Sequence, residues 1–110
     1  MAPVEGWIEA ERAGLFERWR TCALTLTAQW LDADRCHQAL ALAERLHRVD
    51  PFDEDALRLK LRASVNCGDH RRATRTFEVA RAFLQRELGI GPESATVELA
   101  ASLGLVADDG

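Results

Sequence analysis

Along most of the chain the apolar positions recur at intervals of three and four, the spacing that places side chains on one face of an α-helix. Leu15, Trp19, Cys22, Leu26 and Trp30 follow this rule. They predict a long first helix over about residues 5–31 with that stripe turned inward. Asp32-Ala33-Asp34 interrupts it and offers a candidate N-cap for a second helix over about residues 35–48. Ala39, Leu42, Ala43 and Leu46 mark the inner face of that helix. Asp50-Pro51 ends it, because proline has no N–H to donate and pushes the preceding residue out of the helical region. The same pair predicts the start of a third helix over about residues 52–66, with Asp50 as N-cap and Pro51 in its first turn. Asp53, Glu54 and Asp55 then sit where the helix dipole favours negative charge. Leu57, Leu61 and Val65 share a face, and Gly68 is placed as a left-handed cap.

A fourth helix over about residues 70–88 carries Ala73, Phe77, Ala80, Leu84 and Leu88. Gly89 closes it, with Ile90 expected to fold back as the apolar contact after the cap. Beyond Gly91-Pro92, a last helix over about residues 93–103 presents Val97, Leu99 and Leu103. Alternating branched residues and hairpin turns are missing from the pattern. The predicted architecture is all-α: an array of about five helices, two antiparallel hairpins plus a capping helix. A single domain over 1–110 is expected, its core at about residues 5–103. The ends are expected to fray, Val106 to Gly110 in particular, and Trp7 with Ile8 to staple the N-terminal segment onto the core.

An internal repeat sharpens this picture. Ala39 and Ala73 are 34 residues apart, the period of a tetratricopeptide repeat. The same offset aligns Asp34 with Gly68 at an inter-helix turn, and Ala43 with Phe77. Alanine at a crossing point lets two helices approach closely. The second unit is longer than the first: Pro51 lies 12 residues after Ala39, and Pro92 lies 19 after Ala73.

Composition narrows the function classes. The 110 residues contain no apolar run long enough to span a membrane and no secretory signal, so a cytoplasmic protein is expected. The net charge of −4 argues against nucleic-acid binding by the whole surface. The charge is unevenly spread, however. Residues 58–86 hold eight basic and two acidic side chains, and the flanking segments are acidic. Arg58, Arg62, Arg71, Arg72 and Arg75 are therefore the candidate partner-contact surface, with Arg58 and Arg62 on one helix face and Arg71 and Arg75 on another. An acidic patch on a protein is the expected complement.

Phosphate-binding loops and nucleophile elbows are missing from the sequence, as is tyrosine, so no catalytic site, no cofactor and no small-molecule ligand is expected. Cys22, Cys36 and Cys67 form no C-x-x-C pair and read as free thiols. Cys36-His37 and Cys67-x-x-His70 lie near corresponding turns, so the four side chains could be neighbours. Their spacing is looser than that of structural zinc motifs, and no metal site is expected.

The second half resembles the bacterial transcriptional activator domain, a tetratricopeptide-like module found in antibiotic regulatory proteins of the Streptomyces type. The resemblance rests on Ala43-Glu44-Arg45-Leu46 leading into Val49-Asp50-Pro51-Phe52-Asp53-Glu54, on Gly68 and Ala73, and on Arg86-Glu87-Leu88-Gly89-Ile90-Gly91-Pro92-Glu93. Phe77 stands where the family usually has tyrosine, Thr74 replaces a leucine, and Lys60 occupies a stretch that is usually apolar. The family-motif positions with structural roles are Ala39, Asp50, Pro51, Glu54, Gly68, Ala73, Phe77, Leu88, Gly89 and Pro92. The resemblance implies a regulatory module that contacts protein partners, RNA polymerase or a second copy of itself. DNA is then reached only through a separate winged-helix domain. The alternative is a free-standing helical adaptor unrelated to transcription.

Overall fold

A computed structural model describes residues 3–106, with side chains from residue 6 onward. It has five helices: α1 (Pro3–Asp32), α2 (Cys36–Val49), α3 (Glu54–Asn66), α4 (His70–Leu88) and α5 (Ser94–Ser102). No strand is present among the described residues. The pairs α1–α2 and α3–α4 form the two expected hairpins, α2 packs on α3, and α5 covers α3 from the far end. Val106 is exposed, and the rest of the segment expected to fray lies outside the described residues.

The turns follow from the chain's few left-handed residues. Asp34, Gly68 and Gly104 have φ of 62°, 83° and 76°. At each, the next residue donates back to a carbonyl five positions earlier: Arg35 to Trp30, Asp69 to Ser64 and Leu105 to Ala100. This double-bonded C-terminal cap satisfies carbonyls that the helix leaves open. Asp34 is thus the stop of α1 rather than an N-cap of α2, a role aspartate can fill because its short polar side chain tolerates this backbone region. The aligned pair Asp34 and Gly68 occupies equivalent turns, as the 34-residue offset requires.

Two other boundaries differ from expectation. Asp53, not Asp50, caps α3, accepting from the Ala56 N–H at 3.2 Å. Pro51 and Phe52 form a turn before the helix, which Asp50 holds by accepting from the Phe52 N–H. Gly89 closes α4 with a single backward bond to Gln85. Ile90 is 61% exposed rather than folded back into the core. The equivalent apolar cap occurs instead after α5, where Leu105 enters the core.

The core lies in three clusters strung along α3. Ala39, Leu40 and Ala63 pack with the half-buried Trp30, Leu31 and Cys67. Ala23, Leu46 and Ala56 pack with Trp19, Leu24 and Leu42. The largest cluster joins Leu57, Leu61, Ala73, Phe77, Ala80, Ala100 and Leu105. Ala39 and Ala73 have no exposed surface, as close helix approach requires. On α5 the buried positions are Thr96 and Ala100, whereas Val97 points outward.

α1 is rotated relative to the expected stripe. Its buried positions are Ala23 and Thr27, flanked by half-buried Trp19 and Trp30, while Leu15, Cys22 and Leu26 face solvent. The small pair one turn apart lets α2 come close, and the Thr27 hydroxyl donates to the Ala23 carbonyl at 2.7 Å and needs no other partner. Apolar residues surround this helix, so periodicity fits more than one face, and threonine at the contact is invisible to an apolar count. Residues 6–13 are exposed throughout, and Trp7 at 66% exposure does not staple the segment to the core.

Candidate functional site

α2, α3 and α4 enclose a continuous groove. Lys60 and His47 form its floor. Glu44, Arg48 and Pro51 line the α2 side, and Arg72, Arg75, Thr76, Val79, Phe83 and Arg86 line the α4 side. α3 sends Leu57 and Leu61 into the core, and Lys60, beside them at the edge of the same face, projects into the groove. One end of the groove is polar, around Glu44, Asp69, Arg71, Arg72 and Arg75. The other is apolar, with Val79 largely exposed, the Phe83 ring 5.0 Å from that of Phe52, and the Arg86 guanidinium over Phe83.

The electrostatics of the floor are those of crowded cations. The Lys60 Nζ donates to His47 Nδ1 at 3.3 Å, which requires that imidazole nitrogen to be unprotonated. Burial lowers the Lys60 ammonium from its usual pKa, and Arg72 and Arg48 lower it further against the opposing effect of Glu44. Burial first and then Lys60 lower His47. Glu44 is the local counter-charge, paired with Arg72. An anion entering the groove therefore meets a cation-rich surface with part of its solvent already removed, where charge-assisted hydrogen bonds are strongest.

A pH dependence follows from His47. Its pKa is lower in the folded than in the unfolded chain, so the unfolded state takes up the proton first. Stability is full above the unfolded value of about 6.5 and falls as pH drops through it toward the folded value. The melting temperature is expected to fall between about pH 7.5 and pH 5.5 and to fall less in His47→Gln. Equal slopes in the two proteins would remove His47 from this role.

The five arginines expected to form one surface divide in two. Arg71, Arg72 and Arg75 belong to the groove. Arg58 and Arg62 line a separate hollow with Leu24, Asp55 and Leu59. Arg58 is engaged structurally, donating to Glu93 at 3.1 Å and to the Thr96 hydroxyl at 2.9 Å, and pairing with Asp55. Glu54 completes this tie between α3 and α5 by accepting from the Glu93 N–H at 2.9 Å and the Thr96 hydroxyl at 2.7 Å. Of the other motif positions, Phe77 is buried, Pro92 half-buried and Leu88 exposed. Sequence reasoning missed Glu44, His47, Arg48 and Phe83. Lys60 was visible as a charge in an apolar register and Arg71, Arg72 and Arg75 as part of a basic segment, and these signals pointed to the groove.

A second constellation lies at the α2–α3 end. The Sγ atoms of Cys36 and Cys67 and a ring nitrogen of His37 are all within 4.8 Å of one another. Burial raises the Cys67 thiol to about 11, helped by its hydrogen bond with Cys36. His70, the fourth side chain considered from spacing, is turned away, with Nε2 3.0 Å from the Leu103 carbonyl.

No described helix is long and apolar enough to cross a membrane. The model of one protein family, described as the bacterial transcriptional activator domain, matches residues 1–103. No curated protein and no solved structure matches the chain at a significant level.

Proposed function

The chain belongs to the bacterial transcriptional activator domain family, and from that premise we propose that it is the protein-contact module of a cytoplasmic transcriptional regulator. Its partner is the transcription machinery or a second copy of the regulator, and a separate winged-helix domain supplies the DNA contacts. The observation that carries this reading is the groove between α2 and α4, cationic at one end and aromatic at the other. Such a groove suits an acidic partner segment that carries an apolar anchor: Lys60, Arg72 and Arg75 meet carboxylates, and Phe83 with Val79 takes the anchor. Duplex readout calls for a basic stripe along a helix that enters the major groove, whereas these arginines divide between two separate faces.

The test is binding of the 110-residue chain to isolated RNA polymerase subunits and to itself. The double variant Arg72→Glu/Arg75→Glu is expected to weaken the interaction by roughly tenfold or more, since two charges in a partly desolvated groove are reversed. Both side chains are exposed, so the variant should keep its helical circular dichroism. Absence of any protein partner, together with tight salt-dependent binding to duplex DNA, overturns the proposal.

A further inference from the structure

We propose that Cys36, His37 and Cys67 form a binding site for a thiophilic divalent metal ion, zinc, held between the first turn of α2 and the C-terminal cap of α3. The antiparallel packing of these helices brings together residues 30 positions apart in sequence. Cys36 and His37 are the first two residues of α2, and Cys67 caps α3.

The geometry is that of ligands around one ion. Zinc–sulfur and zinc–nitrogen bonds of about 2.3 Å and about 2.0 Å at a tetrahedral angle place the two donor atoms about 3.5 Å apart. Cys67 Sγ and His37 Nδ1 are separated by 3.6 Å, and the Cys36 sulfur lies within 4.8 Å of both. A tetrahedral pair of sulfurs is about 3.8 Å apart, so closing the site asks the Cys36 sulfur to move by about 1 Å at most, within the reach of side-chain rotation.

The chemistry agrees with the donors. Two thiolates cancel the ion's double charge, so a neutral unit sits at this half-buried position, and soft sulfur with imidazole selects zinc over magnesium or calcium. No side chain caps the start of α2, where Cys36 sits, so the positive end of the helix dipole favours a thiolate there. On binding, each thiol releases its proton to solvent, the imidazole donates a ring lone pair, and a water molecule takes the fourth position on the exposed His37 side. The site is separate from the α2–α4 groove and independent of the partner reading given above.

Titration of the reduced full chain with zinc, and with cobalt as its coloured substitute, tests the assignment. One equivalent is expected to bind, cobalt is expected to give a thiolate charge-transfer band, and zinc is expected to raise the melting temperature. Cys36→Ser, Cys67→Ser and His37→Ala should each weaken binding by roughly tenfold or more. Cys22→Ser and His70→Gln should leave it unchanged, because Cys22 lies exposed on α1 and His70 faces Leu103. His37 is exposed, so its variant reports on binding without a folding penalty. Absence of stoichiometric binding, or binding that survives in Cys36→Ser/Cys67→Ser or follows Cys22, overturns the site.

Discussion

Asp53→Ala is expected to lower the unfolding free energy by about 3 kcal/mol, roughly a third of the stability of a typical domain of this size. The carboxylate does two things at once. It caps α3 through the Ala56 N–H, a contribution of about 1 kcal/mol. It also receives a two-pronged grip from Arg20 on α1, with Nε at 2.7 Å and a terminal guanidinium nitrogen at 3.0 Å, while Asp55 holds the same guanidinium at 2.9 Å. The Asp53 side chain is only 5% exposed, so removing it leaves the Arg20 charge short of its main counter-ion in a partly dry setting. Breaking a fully buried pair costs about 3–5 kcal/mol, and the remaining Asp55 contact and the partial exposure of Arg20 bring this below that range. Burial alone would raise the Asp53 carboxyl, yet Arg20 and the cap hold it below its ordinary value. Asp53→Asn, which keeps a capping oxygen and loses the charge, should fall between wild type and alanine. Urea unfolding followed by circular dichroism measures all three, and a loss under about 1 kcal/mol for alanine would show that the pair contributes only as a surface bridge does.

Leu61→Ala should cost a similar amount, about 2–5 kcal/mol. Leu61 has no exposed surface and lies in the cluster that α3 shares with Phe77 and Ala80 of α4 and with Ala100 of α5. The surrounding alanines are already at close helix contact and can move little further inward, so the vacated volume remains as a cavity. The neighbouring Leu59→Ala, at a half-buried position on the other side of α3, serves as the control and should cost well under half as much. Equal losses at the two positions would mean that the cluster is loosely packed.

Legibility of the fold from sequence was high wherever a backbone constraint was local. Gly68, Gly89 and the Asp50-Pro51 pair placed the turns, and the 34-residue offset between Ala39 and Ala73 placed the two crossings. What could not be read was the rotation of α1, because Leu15 and Leu26 satisfy helical spacing as well as Ala23 and Thr27 do. Asp53 was assigned to a helical first turn by dipole logic, and its role as cap and ion-pair partner depends on Arg20, 33 residues earlier. The arginines were likewise visible as a basic segment, but which of them share a surface depends on how α3 turns between two neighbours. Arg58 faces α5 and Arg72 faces α2, a separation that helix-face arithmetic on single elements does not contain.

The central position of α3 has a consequence for how the chain reaches its folded state. α3 packs against each of the other four helices, and three of the contacting pairs (α1–α2, α2–α3 and α3–α4) are neighbours in sequence. The loops to be closed before those contacts form are short, so their entropic cost is met early, and low contact order of this kind goes with folding in microseconds to milliseconds. α2 and α3 share the most extensive contact, so they are expected to pair first, with α4, α1 and α5 docking on that pair, and φ-values highest at their shared core positions would check this order. The helix pair that carries the floor of the groove, Lys60 on α3 and His47 on α2, would on that order also be the template for the rest of the chain.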